Sequence, residues 1–188
     1  HSDLSLVFVF FFLYGVATTA FASFVSSFFW RARTAAAVGG LMHFLSALIF
    51  GLYLGLEFVA SLGVKAFMCL VPTCAGSVGL STLARWERDS IGARWSNIQE
   101  SPRWTHGGMH VPSLSILQIC LLLLWDSFLY FSLAWYVDKV SPGTFGIPQP
   151  WYFPFLPSFW CSVTKTTSIK SAAVEPEDME LPSQGTLE

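Results

Sequence analysis

Apolar residues run without a formal charge from Leu4 to Phe29 and again from Thr34 to Leu56, separated only by the basic break Trp30-Arg31-Ala32-Arg33. A helix needs about 20 consecutive apolar residues to cross the hydrocarbon core of a bilayer, and it can do so because it satisfies its own backbone polar groups. Each run therefore predicts a transmembrane helix, and the short break predicts a tight hairpin between them. A third run, Ser113 to Tyr136, carries Asp126 as its one acid and closes on Trp135-Tyr136, an aromatic pair suited to the membrane interface. The stretch Phe58 to Leu83 is apolar but contains Lys65 and is interrupted by Pro72, Gly76 and Gly79. Its two pieces, about a dozen residues each, are too short to span, so a re-entrant helical hairpin and a single broken span both fit it.

Between these segments the pattern changes. Residues 85–112 mix Arg85, Glu87, Arg88, Asp89, Arg94, Glu100 and Arg103 with Trp86, Trp95 and Trp104, which reads as a loop at the membrane surface. After the third run, Pro142, Pro148, Pro150, Pro154 and Pro157 impose an extended, stiff path that cannot be helical. Residues 162–188 are polar and acidic with few large apolar side chains, and read as a disordered tail. The expected organisation is all-α and membrane-integral. Residues 1–140 hold spans near 4–29, 34–56 and 113–136 and a hairpin at 58–83, residues 141–161 form a Pro/Trp-rich linker, and the tail follows. The opening on His1, with no basic n-region or cleavage site before the first span, reads as a piece of a longer protein.

Composition supports this class. The chain is 53% hydrophobic, 16% aromatic and only 12% charged, about half the charged content of a soluble domain. A formal net charge of −2 offers no basic field for phosphates, so nucleic acid is excluded as a partner. Cys69, Cys74, Cys120 and Cys161 lack the paired short spacings that hold zinc. Basic residues do not settle the orientation. With a re-entrant 58–83 segment, one side holds Arg31, Arg33, Lys139, Lys165 and Lys170 and the other Lys65, Arg85, Arg88, Arg94 and Arg103; with four spans, the arginine-bearing loop joins Arg31 and Arg33, which the positive-inside tendency mildly prefers.

Little in the chain carries chemistry. No glycine directly precedes a lysine, so the phosphate-binding pattern G-x-x-x-x-G-K-[ST] is absent, as are H-E-x-x-H and G-x-S-x-G. Asp126 stands out, because a charge near the middle of a membrane costs about 3 kcal/mol on insertion scales. It reads either as a polar contact in a transport path or as a neutral or Ser/Thr-paired acid facing the bundle. Gln118 lies two turns earlier on nearly the same face, so Asp126 and Gln118 form the candidate intramembrane polar site. His106 and His110 are separated by Gly107-Gly108, which argues against a helical metal pair, and His43 reads as a packing residue. Gly51 with Gly55 gives a GxxxG spacing suited to close helix approach.

The segment Trp135-Tyr136-Val137-Asp138-Lys139-Val140-Ser141-Pro142-Gly143, followed by Gly146-Ile147-Pro148-Gln149-Pro150-Trp151-Tyr152-Phe153-Pro154, resembles the end of the first transmembrane domain of subfamily A ATP-binding cassette transporters. Weaker likenesses stand upstream in the right order: Phe28-Phe29 with Arg31-Ala32 and Gly39-Gly40, Gly92 with Trp95, Asn97, Ser101 and Pro102, and Asp126-Ser127 with Leu129-Tyr130. Thr144-Phe145 and Ser162 depart from the family pattern, and no proline follows Phe44-Leu45-Ser46.

The resemblance implies a lipid transporter whose residues 1–3 lie outside and Arg31 to Arg33 inside, with 58–83 as an exofacial re-entrant hairpin. Cys69 and Cys74 would then lie on the outer side, where a disulfide is possible. It further implies that Pro142, Pro148, Pro150, Trp151 and Pro154 couple the last span to an ATPase domain. Partners would be membrane lipids, the parent's other transmembrane helices and its nucleotide-binding domains. ATP and magnesium would belong to that missing domain, with no cofactor and no catalytic site here, in a plasma or vesicle membrane. The reading left beside it is a membrane protein that transports nothing, a scaffold or truncated product.

Overall fold

The computed structural model describes residues 1–102, 105–106, 109–141 and 149–155. In it α1 spans Leu4–Ser26, α2 Ala32–Leu56, α3 Leu62–Met68, α4 Pro72–Arg88 and α5 Ile116–Val140. Among the described residues the fold is all-helical apart from a two-residue antiparallel pairing in which Thr105 pairs with His110 and His106 with Met109. Among the described residues three helices, α1, α2 and α5, are long and apolar enough to cross a membrane.

Their ends follow local chemistry. The first helix stops at Ser26 rather than Phe29, where Ser26 and Ser27 turn their hydroxyls back onto the carbonyls of Ser23 and Phe24. Helix α5 starts on a capping box: Ser115 Oγ accepts from the Gln118 backbone N–H, and the Ser115 N–H donates to Gln118 Oε1 at 3.0 Å. Helix α4 starts with Pro72 in its first turn and runs on to Arg88, beyond the apolar boundary at Leu83, placing Arg85 and Arg88 in the last turn where cations suit the helix dipole.

Helices α1 and α5 pack directly against each other, with Phe21 and Phe24 of α1 meeting Tyr130 of α5, and α2 packs against α4 and α1. The core lies where α1, α4 and α5 meet, around Leu6, Phe10, Ala75, Val78, Ile119 and Leu123. Two glycines bring α4 close: a methyl at Gly79 would overlap the Phe10 ring, and one at Gly76 would overlap Tyr14. One end of the bundle is tied by the loop after α4, where the Asp3 N–H donates to the Ala93 carbonyl at 2.9 Å and Trp95 Nε1 donates to Ser5 at 2.9 Å. The α1–α2 turn marks the other end. Residues 151–155 belong to a separate compact unit, in which Phe153–Phe155 form a 3-10 turn and the rings of Trp151 and Tyr152 meet edge-on at 5.5 Å. Of the expected coupling segment, Pro142 and Pro148 lie outside the described residues, as does the tail.

Candidate functional site

The turn joining α3 to α4 sits beside the middles of two long helices. Ser46, near the centre of α2, shares a 2.7 Å hydrogen bond with Thr73, and Tyr130, just past the centre of α5, donates to the Leu70 carbonyl at 3.0 Å. Asp126 is nearby on α5. It is fully buried, its carboxyl lies within electrostatic reach of the Cys69 thiol, and neither oxygen has a hydrogen-bond partner among the described residues. An orphaned buried carboxyl calls for a role, since native structures satisfy nearly all such groups. Cys69 and Cys74, on either side of the turn, are both free and buried.

Gln118 is placed elsewhere. Its side chain is engaged in the α5 capping box and faces a cleft of about 1080 Å³ lined by Leu62, Ala66, Leu121, Trp125, Phe128 and Phe131. The structure therefore separates Gln118, at the mouth of an apolar groove, from Asp126, at the turn of the hairpin. The S-x-x-Q spacing of Ser115 and Gln118 was the sequence signal for the cap.

A second polar group was missed because its members are far apart in the chain. Glu57, at the end of α2, accepts a 2.5 Å ion-pair hydrogen bond from Arg85 of α4, with both side chains largely buried. Lys65 of α3 is buried beside them and donates to the Pro112 carbonyl at 2.5 Å. Burial holds the Lys65 amine below its ordinary range, and the Glu57 carboxylate acts against that shift. Further out, hydrogen bonds from Ser2, side chain first and backbone second, keep the exposed Glu87 carboxyl below the usual carboxylate range. His43 is exposed on α2. No group of three or more metal-ligating side chains occurs among the described residues.

The least covered surface is α2. Only 6% of its most apolar stretch is buried against the rest of the chain, compared with 22% for α1 and 33% for α5. Leu41, Phe44, Leu48 and Leu52 stand exposed along it. Together, the three apolar helices and the short helical pair in the chain between α2 and α5 define an integral membrane domain.

Comparison with known proteins agrees. The ABC-2 family transporter protein model matches residues 1–136. This chain belongs to that family, within subfamily A of the ATP-binding cassette transporters. It is 36% identical over 155 residues to the mouse glucosylceramide transporter ABCA12, covering 82% of this chain and 6% of that protein. It is 34% identical over 186 residues to the human phospholipid-transporting ATPase ABCA3, covering 95% and 10%. The bovine retinal-specific phospholipid-transporting ATPase ABCA4 is 33% identical over 187 residues, covering 97% and 8%. The chain thus spans a tenth or less of the length of these relatives.

Proposed function

We propose that these residues form part of the membrane domain of an ATP-driven lipid transporter, with the bare face of α2 lining the path along which lipid moves. The observation that carries this reading is the uncovered apolar stripe of Leu41, Phe44, Leu48 and Leu52 on a helix of membrane-spanning length. A continuous apolar face suits an amphiphile's chains, whereas an ion path needs polar lining. The relatives' names, a glucosylceramide transporter and phospholipid-transporting ATPases, support lipid as the cargo.

In this reading residues 1–3 and 89–112 lie outside, the α1–α2 turn lies inside, and the α3–α4 pair enters from outside and turns back near the bilayer middle. Tyr130 fastens that turn from α5, and the buried Asp126 carboxyl stands near it. ATP and magnesium do not fit this chain's residues, which lack a phosphate-binding loop. They belong to a nucleotide-binding domain elsewhere in the parent protein, which Pro142, Pro148, Pro150, Trp151 and Pro154 connect to α5 as a stiff linker.

The test is ATP-driven transfer of a fluorescent phospholipid by the full transporter in proteoliposomes. Leu48→Lys and Leu52→Lys, on the bare face, should each abolish transfer while the protein remains monodisperse. Unaltered transfer in both variants would remove α2 from the path.

A further inference from the structure

The ends of α1 and α5 at the α1–α2 turn enclose a second cleft, of about 480 Å³, lined by Ser23, Ser26, Ser27, Phe29, Trp30, Ala134, Asp138 and Ser141. That volume falls within the range of about 300–1,000 Å³ typical of small-molecule sites. Its chemistry is one-sided. Ser23, Ser26 and Ser27 each spend their hydroxyl proton on a carbonyl of their own helix, at 2.9, 2.8 and 2.7 Å, so their oxygens remain as acceptors. Asp138 adds a carboxylate that has no ion pair or hydrogen bond among the described residues. Phe29 and Trp30 add aromatic rings, and Trp30 is 70% exposed. Among the described residues, no lysine or arginine lines the cleft.

The backbone adds to this bias. Both α1 and α5 end here, at Ser27 and Ser141, so the carbonyl ends of two helices lie at the cleft, while the positive end of α2 starts just after Trp30, on the side of Arg31 and Arg33. The last turn of α1 has no basic residue to offset its dipole, and α5 has Lys139 alone. A carboxylate, aromatic faces and acceptor-only hydroxyls together form the kind of cage that recognises an organic ammonium. A tryptophan at the end of a membrane-spanning helix places the cleft at headgroup depth.

We propose that this cleft binds the ammonium headgroup of a zwitterionic membrane lipid, such as a choline or ethanolamine phospholipid. The ammonium sits against Asp138 and the Trp30 and Phe29 rings. The lipid phosphate faces outward toward Arg31 and Arg33, which flank the cleft in sequence. This site stands at the opposite end of the bundle from the Glu57–Arg85 pair, and it depends only on the chain's place in a membrane, not on the transport path proposed for α2.

The test uses the full transporter in lipid nanodiscs, with a phosphatidylcholine carrying a photoreactive diazirine on its headgroup and a matching phosphatidylglycerol probe. The choline probe should label peptides containing residues 23–30 or 134–141, and the glycerol probe should label them only at background. Asp138→Asn and Trp30→Ala should each lower choline labelling about tenfold, a change of 1.4 kcal/mol in binding, while Asp138→Glu retains it. Both positions are exposed, so size-exclusion profiles of the variants should match the parent. Equal labelling by the two probes, labelling unchanged in both loss variants, or labelling confined to other peptides because another part of the transporter fills the cleft would each overturn the assignment. Tetramethylammonium in excess should compete with the choline probe, and labelling of these peptides that persists unchanged in its presence would overturn the ammonium assignment.

Discussion

The Tyr130 hydroxyl donates a 3.0 Å hydrogen bond to the Leu70 carbonyl, fastening α5 to the turn between α3 and α4. The ring below it meets Phe21 at 5.2 Å and Phe24 at 5.7 Å, so one residue joins α1, α5 and the hairpin. Tyr130→Phe keeps the ring contacts and removes only the bond, a loss of about 1 kcal/mol. A modest fall in apparent melting temperature of the purified transporter is expected, and Tyr130→Ala should fall further. Equal falls would show that the hydroxyl contributes nothing.

The glycines separate into two groups. A methyl at Gly79 would meet the Phe10 ring and Ile119, whereas one at Gly51 would meet nothing within 4 Å. Gly79→Ala should therefore destabilise the fold by about 1–3 kcal/mol through overpacking, and Gly51→Ala should be neutral or slightly stabilising. Thermal melts of the two variants side by side check this, and a Gly51→Ala loss as large as that of Gly79→Ala would contradict it.

These glycines also show what the sequence could and could not reveal. The three long helices were legible because a membrane span is a local property: a run of apolar residues is sufficient evidence by itself, and the observed ends fall within a few residues of those read. Packing is not local. The Gly51/Gly55 spacing suited a close approach, yet a methyl at either would meet nothing within 4 Å among the described residues, while Gly76 and Gly79, read as breaks, make the close approach to Tyr14 and Phe10, which lie far away in sequence. The Glu57–Arg85 pair was invisible for the same reason, and the boundary at Leu83 had put Arg85 in a loop. Asp126 was legible as an oddity, but its place beside the hairpin turn was not.

The proposed re-entry of the α3–α4 pair fixes a sidedness that can be measured. Single cysteines at Ser90 and Thr34 of a cysteine-free transporter should react with a membrane-impermeant maleimide from opposite faces, with Ser168 on the side of Thr34. A fourth span through residues 58–83 would put Ser90 and Thr34 on one face.

The proline-rich linker gives a separate expectation. Replacing Pro148, Pro150 and Pro154 together with glycine should leave ATP hydrolysis by the full transporter intact and reduce lipid transfer, because a flexible chain absorbs displacement that a stiff one transmits. Transfer retained in step with hydrolysis would make the segment a passive spacer.

The central claim is that α2 faces moving lipid. It is tested most directly by photolabelling the full transporter in nanodiscs with a phospholipid bearing a diazirine in its acyl chain, and mapping the modified residues with and without a non-hydrolysable ATP analogue. The account predicts labels at Leu41, Phe44, Leu48 and Leu52 that change in strength when the analogue binds. Labels absent from these four positions, or present in equal strength in both states, would contradict it.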